Sequence, residues 1–405
     1  MKEESPVDAG IAARDTATPV RGRGSRQRRL ARPRAPEPAR GTPSRPPGQI
    51  VLVLQGGGAL GAYQAGVYQA LHEAGIEPDW VIGTSIGAIN ASIIAGNEPR
   101  QRLERLHAFW NSVKWHEPLG FAASLPWWVA NPYANLQTIA FGVPGFFAPN
   151  PRAWLGVRAP LGVEAASFYD TAALRGTLAR LVDFERIAGK ATRLTVGAVN
   201  ARSGAMRYFD SRDLALGPEH VMASGALPPA FPAIRIDGEP YWDGGVYSNT
   251  PSEAVLDDTP RRTSTVFNVH LWNPSGNEPQ SIWDVLGRQK EIQYSSRAIN
   301  HVNRQQQIHR LRHVIRQLAQ HLPPHSLEAD EVQALLSWGC HTTVHIVRLL
   351  APRLEGEDHT KDIDFTPGGI RRRWEAGYSD GKDAIGKAPW YCEIDPLEGV
   401  LLHEH

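Results

Sequence analysis

The sequence predicts an α/β fold with a parallel core, and two consecutive strand–turn–helix units predict it. Gln49–Gln55 is a short, nearly continuous run of apolar and β-branched residues, and a glycine-rich loop and a helical pattern follow it at once. Trp80–Gly83 repeats the pattern with a sharp turn and a second helical segment. Unbroken apolar runs suit parallel strands that are buried on both faces, and successive βα units favour an α/β fold.

In the first unit the loop Gly56–Gly61 separates the strand from a predicted helix over Ala62–Ala74, which Gly75 closes. In the second unit the turn Thr84–Gly87 leads into a predicted helix over Ala88–Ala95. Glycine is the residue most often found just beyond a helix C-terminus, so Gly75 marks a plausible end of the first helix.

Composition supports an ordinary globular protein. The chain has 405 residues, of which 41% are hydrophobic and 21% are charged, so it can bury a large core. It has neither an apolar run of about 18 residues nor an apolar secretory block, so we expect a cytoplasmic protein. Cys340 and Cys392 form no C-x-x-C pattern, and we expect both to be reduced packing residues.

Residues 1–48 form a basic tail rich in arginine and proline. Residues 1–49 hold 11 of the 43 Lys and Arg, 5 of the 42 Asp and Glu, and 8 of the 32 Pro. With so little apolar surface the segment cannot offset its ordering entropy, so we expect it to be disordered. Its arginines could contact an anionic membrane. The acidic remainder and the lack of a nucleic-acid motif indicate no nucleic-acid partner.

The glycine loop has two interpretations. Gly56, Gly58 and Gly61 match G-x-G-x-x-G between a strand and a helix, the fingerprint of dinucleotide binding. That interpretation requires an acidic residue at the end of the second strand. Glu77 and Asp79 instead precede this strand, which weakens it.

The second interpretation takes the loop together with the following turn. In Gly83-Thr-Ser-Ile-Gly87 two glycines flank a serine on a strand-to-helix turn, as in a nucleophile elbow. A plain turn in which Ser85 only caps the helix is the alternative. The main-chain N–H groups of Gly57, Gly58 and Ala59 could hold the oxyanion that forms when a serine attacks an ester carbonyl.

A serine nucleophile needs a proton acceptor, and histidine is the usual one. Between Ser85 and residue 260 the histidines are His107, His116 and His220, and no local signal fixes their positions. Asp243, followed by Gly244 and Gly245, stands out instead, because glycines allow a close backbone approach that aims a carboxylate. Asp243 could take the proton directly or could simply belong to a turn.

Three motifs in series resemble the patatin-like phospholipase family. They are Gly56-Gly-Gly-Ala-Leu-Gly61, Gly83-Thr-Ser-Ile-Gly87 followed by Ala88, and Asp243-Gly-Gly245. Ala223–Pro232 also resembles the family's segment before its aspartate, and the resemblance covers about residues 50–275. It implies a three-layer α/β/α sandwich with a mostly parallel sheet, and a catalytic Ser-Asp dyad without histidine.

The resemblance assigns roles to individual residues. It implies that Ser85 is the nucleophile, that Asp243 is the general base, and that no cofactor or metal is needed. The implied oxyanion hole is the loop of Gly56, Gly57, Gly58 and Ala59. The implied support for the elbow and the dyad comes from Gly83, Gly87, Gly244 and Gly245. Many relatives carry Arg or Lys where this chain has Leu60, so any contribution from such a cation is missing.

Residues 49–275 are therefore the expected catalytic domain, and 276–405 a mainly helical C-terminal extension packed on it. Lys361–Phe365 and Arg371–Tyr378 are similar to an uncharacterised extension that follows some bacterial patatin-like domains. Within the extension the patterns predict a long polar helix over Ser281–Gln320, a strand over Thr342–Leu350 that returns to the sheet, and a closing helix from Pro367 to about Ala384.

Two further features leave alternatives open. The Trp-rich segment 110–154 either packs in the core or caps the serine, lining an acyl pocket or dipping into a lipid surface. His309 and His313 stand four residues apart on the long helix, as zinc ligands can, but no H-E-x-x-H signature accompanies them. We therefore expect no metal.

The leading hypothesis is a serine acyl hydrolase that acts on acyl lipids, with peripheral membrane contact through the basic tail or segment 110–154 left open. A histidine-assisted α/β-hydrolase that cleaves thioesters or storage polyesters is the enzymatic alternative, with His107, His116, His220 or His270 as the base. A non-catalytic lipid-binding module is the alternative from another class. The sequence does not indicate an oligomeric state.

Overall fold

A mixed nine-stranded sheet organises the computed structural model, which describes residues 45–114 and 135–404, without the side chains of 296–301. All of these residues fall within one compact unit, Gly41–His405. The predicted basic tail over 1–48 lies almost wholly outside the described residues. The strands are β1 (Gln49–Leu54), β2 (Trp80–Gly83), β3 (Ala148–Pro149), β4 (Tyr169–Asp170), β5 (Arg193–Asn200), β6 (Met206–Asp210), β7 (Ile234–Ile236), β8 (Glu239–Asp243), β9 (Ser264–His270), β10 (Val344–Leu350) and β11 (Val400–Glu404).

Helices connect and cover these strands. They are α1 (Ala62–Glu73), α2 (Ile86–Ala95), α3 (Pro99–Ser112), α4 (135–141), α5 (Ala172–Leu181), α6 (Phe184–Ala188), α7 (Pro218–Ser224), α8 (Glu253–Leu256), α9 (Ile282–Ala319), α10 (Pro324–Leu327), α11 (Asp330–Leu336) and α12 (Pro367–Lys387). Within the described ranges no helix combines the length and the apolarity needed to cross a bilayer.

The sheet order is β11-β10-β9-β1-β2-β5-β8-β7, with β6 also paired to β5. The pairs from β11 through β5 are parallel, whereas β6, β7 and β8 add antiparallel pairs at the other side. A two-stranded ribbon, β3–β4, stands apart. The predicted α/β fold with a mostly parallel sheet is confirmed.

The core lies on both faces of the sheet. Alternate residues of a strand point to opposite faces, and in β1 Leu52 joins one apolar cluster while Val53 joins another. The Leu52 cluster is shared with α1, α2 and α12. The Val53 cluster includes Leu256 of α8 and Val302 of α9. Helices therefore cover both faces of the central strands, which is the three-layer arrangement.

The region after residue 275 contributes strands as well as helices to this architecture. The strand predicted over Thr342–Leu350 is β10, which pairs with β9 in parallel. Sequence patterns did not predict β11, a five-residue strand that pairs with β10 and extends the sheet. The long helix runs over Ile282–Ala319, close to its predicted span, and the closing helix continues to Lys387.

α12 packs against α1 through backbone contacts that glycines permit. A Cβ placed on Gly377 would lie 2.0 Å from the carbonyl oxygen of Tyr63, and one on Gly66 would lie 1.9 Å from the carbonyl oxygen of Trp374. Any side chain at these two positions would force the helices apart. The Nε1–H of Trp374 donates to Gln69 at 2.7 Å and fixes the register of the pair.

We predict that Gly377→Ala lowers the free energy of unfolding by about 2 kcal/mol or more, because the new methyl group overlaps the Tyr63 carbonyl. Gly386→Ala is the matched control in the same helix, since a Cβ there meets nothing within 4 Å. Its higher helix propensity should leave stability unchanged or raised by up to about 1 kcal/mol. Urea unfolding of the two variants tests this, and equal midpoints would contradict the packing.

Candidate active site

Ser85 occupies a strained turn between β2 and α2. Its backbone has φ 57° and ψ −125°, a region that residues with a side chain rarely adopt. The flanking glycines make the turn possible, because a Cβ on Gly83 would lie 2.3 Å from the backbone of Gly87. A Cβ on Gly87 would lie 2.2 Å from the Leu54 carbonyl oxygen. The turn thus packs directly on the end of β1, as a nucleophile elbow requires.

The sheet brings Asp243 to the same place. β5 pairs with β2 on one side, with Val196 opposite Gly83, and with β8 on the other, with Ala198 opposite Asp243. Residues 158 positions apart in the sequence are therefore separated by a single strand. Gly244 follows closely along β5, since its Cβ would lie 2.5 Å from the Gly197 carbonyl oxygen.

The Asp243 carboxyl is buried next to the Ser85 side chain. Its Oδ1 accepts the Gly245 N–H at 2.7 Å. Burial raises the pKa of Asp243 to about 7, and the Ser85 hydroxyl and the Gly245 N–H limit the rise because they favour the anion. The group is therefore poised to exchange a proton near neutral pH.

The glycine loop after β1 lies against this pair. A Cβ on Gly56 would come within 3.0 Å of the Ser85 Cβ, so glycine allows the loop to approach the serine. The Gly56 N–H donates to the Asn249 carbonyl at 3.2 Å and is thus already occupied. In the part of the chain that the structure describes, no protein acceptor pairs with the N–H groups of Gly57 and Gly58. Ala59 lies in the 3₁₀ helix Gly58–Gly61 that follows.

Four residues that sequence patterns did not single out hold the loop and the turn. The Gly56 carbonyl accepts the Trp272 Nε1–H at 2.8 Å and the Asn249 side-chain amide at 3.1 Å. The Gln55 side chain accepts the Leu271 and Trp272 N–H groups. The Ser85 N–H donates to Ser224, whose hydroxyl donates to Gly197 at 2.6 Å. Only Ser224 had a local sequence signal, because it lies within the segment Ala223–Pro232. The other three residues form hydrogen bonds with segments that are distant in the sequence.

A cavity of about 160 Å³ opens at Ser85 and Asp243. Its wall is mainly apolar, and the phenyl rings of Phe146 and Phe147 meet edge to face with centroids 5.3 Å apart. Residues from both sides of position 275 contribute, including Tyr294, Asp362 and Ile363 of the extension. The apolar wall residues are Ile86, Ile139, Phe146, Phe147, Leu227, Ala230, Phe231, Ile363 and Phe365.

Comparison with known families shows which family this chain belongs to. The model of the patatin-like phospholipase family matches residues 52–256, a span that carries both Ser85 and Asp243. The chain belongs to the patatin-like phospholipase family. A second family model, described as a patatin phospholipase domain, matches residues 292–397. The resemblance inferred from the three motifs is confirmed, and the second model matches most of the region after residue 275.

Individual relatives match over smaller regions or more distantly. Lysophospholipase nte1 of Aspergillus terreus is 59% identical over 46 residues, which are 11% of this chain and 3% of that protein. VipD of Legionella pneumophila has a TM-score of 0.35 at 16% identity, over 84% of this chain and 67% of its own. The ExoU–SpcU complex of Pseudomonas aeruginosa has a TM-score of 0.26 at 18% identity, and the match covers 65% of this chain and 53% of the matched chain.

The candidate histidines lie elsewhere. His107 stacks on Trp374 with ring centroids 4.3 Å apart, and His220 accepts the Gly217 N–H at 2.9 Å. His270 ends β9, where burial lowers its pKa to about 3. His116 lies outside the described residues. Within the described ranges no histidine lines the Ser85 cavity, which weakens the histidine-assisted alternative.

The acids that a dinucleotide site would need are occupied. Glu77 pairs with the buried Arg102, and Asp79 accepts the Ile50 N–H at 2.8 Å. Both carboxylates precede β2 and therefore lie at the opposite end of the parallel strands β1 and β2 from the glycine loop, so neither is placed to bind the ribose of a nucleotide held by that loop. Leu60, where many relatives carry a cation, is buried in the apolar core.

Two groups of side chains contain residue types that can bind a metal: His345 with Cys392 and His403, and His309 with His313. His345, Cys392 and His403 each place one ligand atom within 4.8 Å of the others. The planes of the two imidazoles are nearly parallel, at 8°, with ring nitrogens 3.1 Å apart and ring centroids 5.3 Å apart. That geometry fits one shared N–H···N hydrogen bond. Both nitrogens of His313 lie 3.0 Å from backbone carbonyls, so the i, i+4 pair with His309 is not arranged for a metal.

Gly58 connects the glycine loop to the extension. Its φ is +56°, and a Cβ there would lie 2.2 Å from the carbonyl oxygen of Asp362. Asp362 is in turn held by Lys290, whose Nζ contacts both carboxylate oxygens at 2.8 and 3.0 Å. The extension therefore fixes the backbone beside Ser85.

We predict that Gly58→Ala lowers turnover of a p-nitrophenyl ester by about 100-fold or more, because the loop must shift away from the Asp362 carbonyl and its N–H groups would move relative to Ser85. Gly75→Ala is the matched control, since Gly75 also has a positive φ, +71°, but a Cβ there meets nothing within 4 Å. Both variants carry a similar backbone strain. Comparable turnover in the two would show that the position of the loop does not matter.

Proposed function

We propose that this protein is a serine acyl hydrolase that cleaves carboxylic esters of acyl lipids with a Ser85–Asp243 dyad. One observation carries the proposal. The Ser85 hydroxyl, on a strained strand-to-helix turn, lines the same cavity as the buried Asp243 carboxyl, whose pKa is raised to about 7. A general base is most effective when its pKa lies near the working pH. Family membership supports the same chemistry.

The proposed reaction begins when ionised Asp243 accepts the Ser85 proton as Oγ attacks the ester carbonyl carbon. The carbonyl oxygen becomes an oxyanion, which we assign to the N–H groups of Gly57 and Gly58. The C–O bond to the leaving group then breaks, and protonated Asp243 returns its proton to the departing alkoxide. This leaves an acyl ester on Ser85 and an ionised Asp243.

Deacylation repeats the sequence with water. Asp243 takes a proton from a water molecule as the water oxygen attacks the acyl carbon. The proton then passes from Asp243 to the Ser85 oxygen as the free carboxylic acid leaves. Gly56 is assigned a packing role, because its N–H is already bonded to the Asn249 carbonyl. Gly83, Gly87, Gly244 and Gly245 are proposed to support the turn and the dyad. Ala59 remains a candidate donor.

The cavity favours an acyl chain as the group that enters it. Phenylalanine and aliphatic side chains form much of its wall, and Ser85, Asp243, Asn249 and Asp362 are among its few polar side chains. This division is typical of sites that bind an apolar group and orient it with a few polar contacts. The family favours a phospholipid or lysophospholipid, and neutral lipid esters have the same reacting bond.

We predict that Ser85→Ala and Asp243→Asn each reduce hydrolysis of a p-nitrophenyl ester by about 1000-fold or more while the fold survives, because each removes one half of the dyad. A fluorophosphonate probe should label wild-type protein at Ser85, as read by peptide mass spectrometry. Ser203→Ala and Asp237→Asn, at exposed turns, are the matched controls. A folded wild-type protein that is never labelled would favour a non-catalytic lipid-binding module.

We predict that kcat/KM rises with pH and levels off above about pH 7, because Asp243 must be ionised to accept the proton. Stability should change in the opposite direction. The folded-state pKa is raised above its ordinary 3.8, so the stability that protonated Asp243 contributes is present below about pH 4 and lost as pH rises through about 7.

Asp243→Asn removes the free-energy cost of ionising a buried carboxyl, because asparagine stays neutral. The free energy of unfolding of the variant, relative to that of wild type, should therefore rise between about pH 4 and about pH 7 by an amount on the order of 4 kcal/mol. Denaturant unfolding across this pH range measures the difference. The dependence of wild-type kcat/KM on pH measures the pKa of the general base. A difference that stays constant with pH would mean that Asp243 is not buried as a neutral acid.

A further inference from the structure

An exposed apolar loop lies in the chain between β3 and β4, and Tyr169 of β4 lines the Ser85 cavity. The side chains of Trp154 and Val157 are each 90% exposed and that of Leu155 is 71% exposed. Arg152 and Arg158, both exposed, flank them in the sequence. Isolated exposed apolar residues are ordinary, but three large ones within four positions, bordered by cations, are typical of a surface that contacts something.

Hydrogen bonds tie this loop to the wall of the cavity. It follows β3, which pairs with β4, and this ribbon places Phe147 and Tyr169 in the cavity wall. At the base of the loop the Asn150 N–H donates to the Phe168 carbonyl at 2.9 Å. The Asn150 side chain accepts the Arg152 N–H at 3.1 Å. The loop is therefore held in place relative to Ser85.

Further exposed apolar side chains lie on the chain segments that contribute Ile139 and Tyr169 to the cavity wall. Ile139 lines the cavity and is also 52% exposed, and its carbonyl accepts the Tyr169 hydroxyl at 2.7 Å. Phe141 and Phe168 are likewise exposed. We call this set the apolar rim, and its members are Ile139, Phe141, Trp154, Leu155, Val157 and Phe168.

We propose that the apolar rim docks on a lipid surface that carries anionic headgroups. The proposal rests on the proposed function, because a cavity that takes acyl chains needs a route to them. An acyl chain could pass from the lipid surface over Ile139 into the cavity without crossing water. Tryptophan favours the interface between headgroups and acyl chains, and Arg152 and Arg158 would meet phosphates beside it. This favours lipid over a second protein copy as the occupant.

Vesicle binding by the full chain carrying Ser85→Ala tests the proposal without any turnover. The vesicles are phosphatidylcholine alone and phosphatidylcholine with an equal amount of phosphatidylglycerol, and binding is measured by sedimentation. Trp154→Ala should weaken binding to both by about tenfold. Arg152→Glu with Arg158→Glu should weaken binding to the anionic vesicles by at least about fivefold for each arginine, and should have little effect on the neutral ones.

The chain offers matched controls. Trp338→Ala removes another exposed tryptophan, 67% exposed, and Arg371→Glu reverses another exposed arginine. Both should bind like the parent, and the basic tail is the same in every variant. Val157→Glu provides a second disruption of the loop should Trp154→Ala fold poorly. In a chain with Ser85 intact, Trp154→Ala should keep wild-type hydrolysis of a short, water-soluble ester.

Three results would overturn the proposal. The first is equal vesicle binding by the Trp154→Ala and Trp338→Ala proteins. The second is a lipid-free oligomer that Trp154→Ala dissociates, since the rim would then contact a second copy. The third is a parent protein that binds neither kind of vesicle. Failure of the proposed function would be seen separately, as absence of probe labelling at Ser85 in a protein that still binds vesicles.

Discussion

The burial of the Asp243 carboxyl is the constraint on which the rest of the site depends. A carboxylate removed from water is costly, and here burial alone would favour the neutral acid strongly. The Ser85 hydroxyl and the Gly245 N–H stabilise the anion and offset part of that cost, so the pKa of Asp243 is about 7. The group that favours the anion is thus the same hydroxyl that the anion is proposed to deprotonate. Movement of Ser85 would affect both its own position and the charge of its base.

This coupling explains why so much of the surrounding structure is made of close backbone approaches. β5 fixes the distance between the ends of β2 and β8, and glycines at 83, 87 and 244 let main chain pack where a side chain would intrude. The extension takes part in the same construction. It places the Asp362 carbonyl against Gly58, packs α12 on α1, and adds β10 and β11 to the sheet. It is part of the hydrolase architecture and cannot be regarded as an appendage.

The sequence was informative where a local pattern expresses a local constraint. Glycines around Ser85 and after Asp243 predicted the two turns, because only glycine tolerates such approaches, and two βα units predicted the class of fold. It was silent where the constraint lies between distant segments. Trp272 and Gln55 hold the glycine loop through hydrogen bonds that no spacing reveals. β11 was missed because a short run beside charged residues has strand character only once β10 pairs with it.

The same division between near and distant contacts suggests where this protein can vary. Replacing a glycine at the turn or in the loop inserts a Cβ into a backbone carbonyl, and several segments would have to shift together to receive it. Wall residues of the cavity meet neighbours through flexible side chains, as Phe365 meets Phe146 with ring centroids 6.1 Å apart. Such contacts can be repacked at lower cost. If the proposed function holds, changes in acyl preference should therefore arise in the apolar wall, part of which the extension supplies, while the serine, the carboxyl and the loop stay fixed.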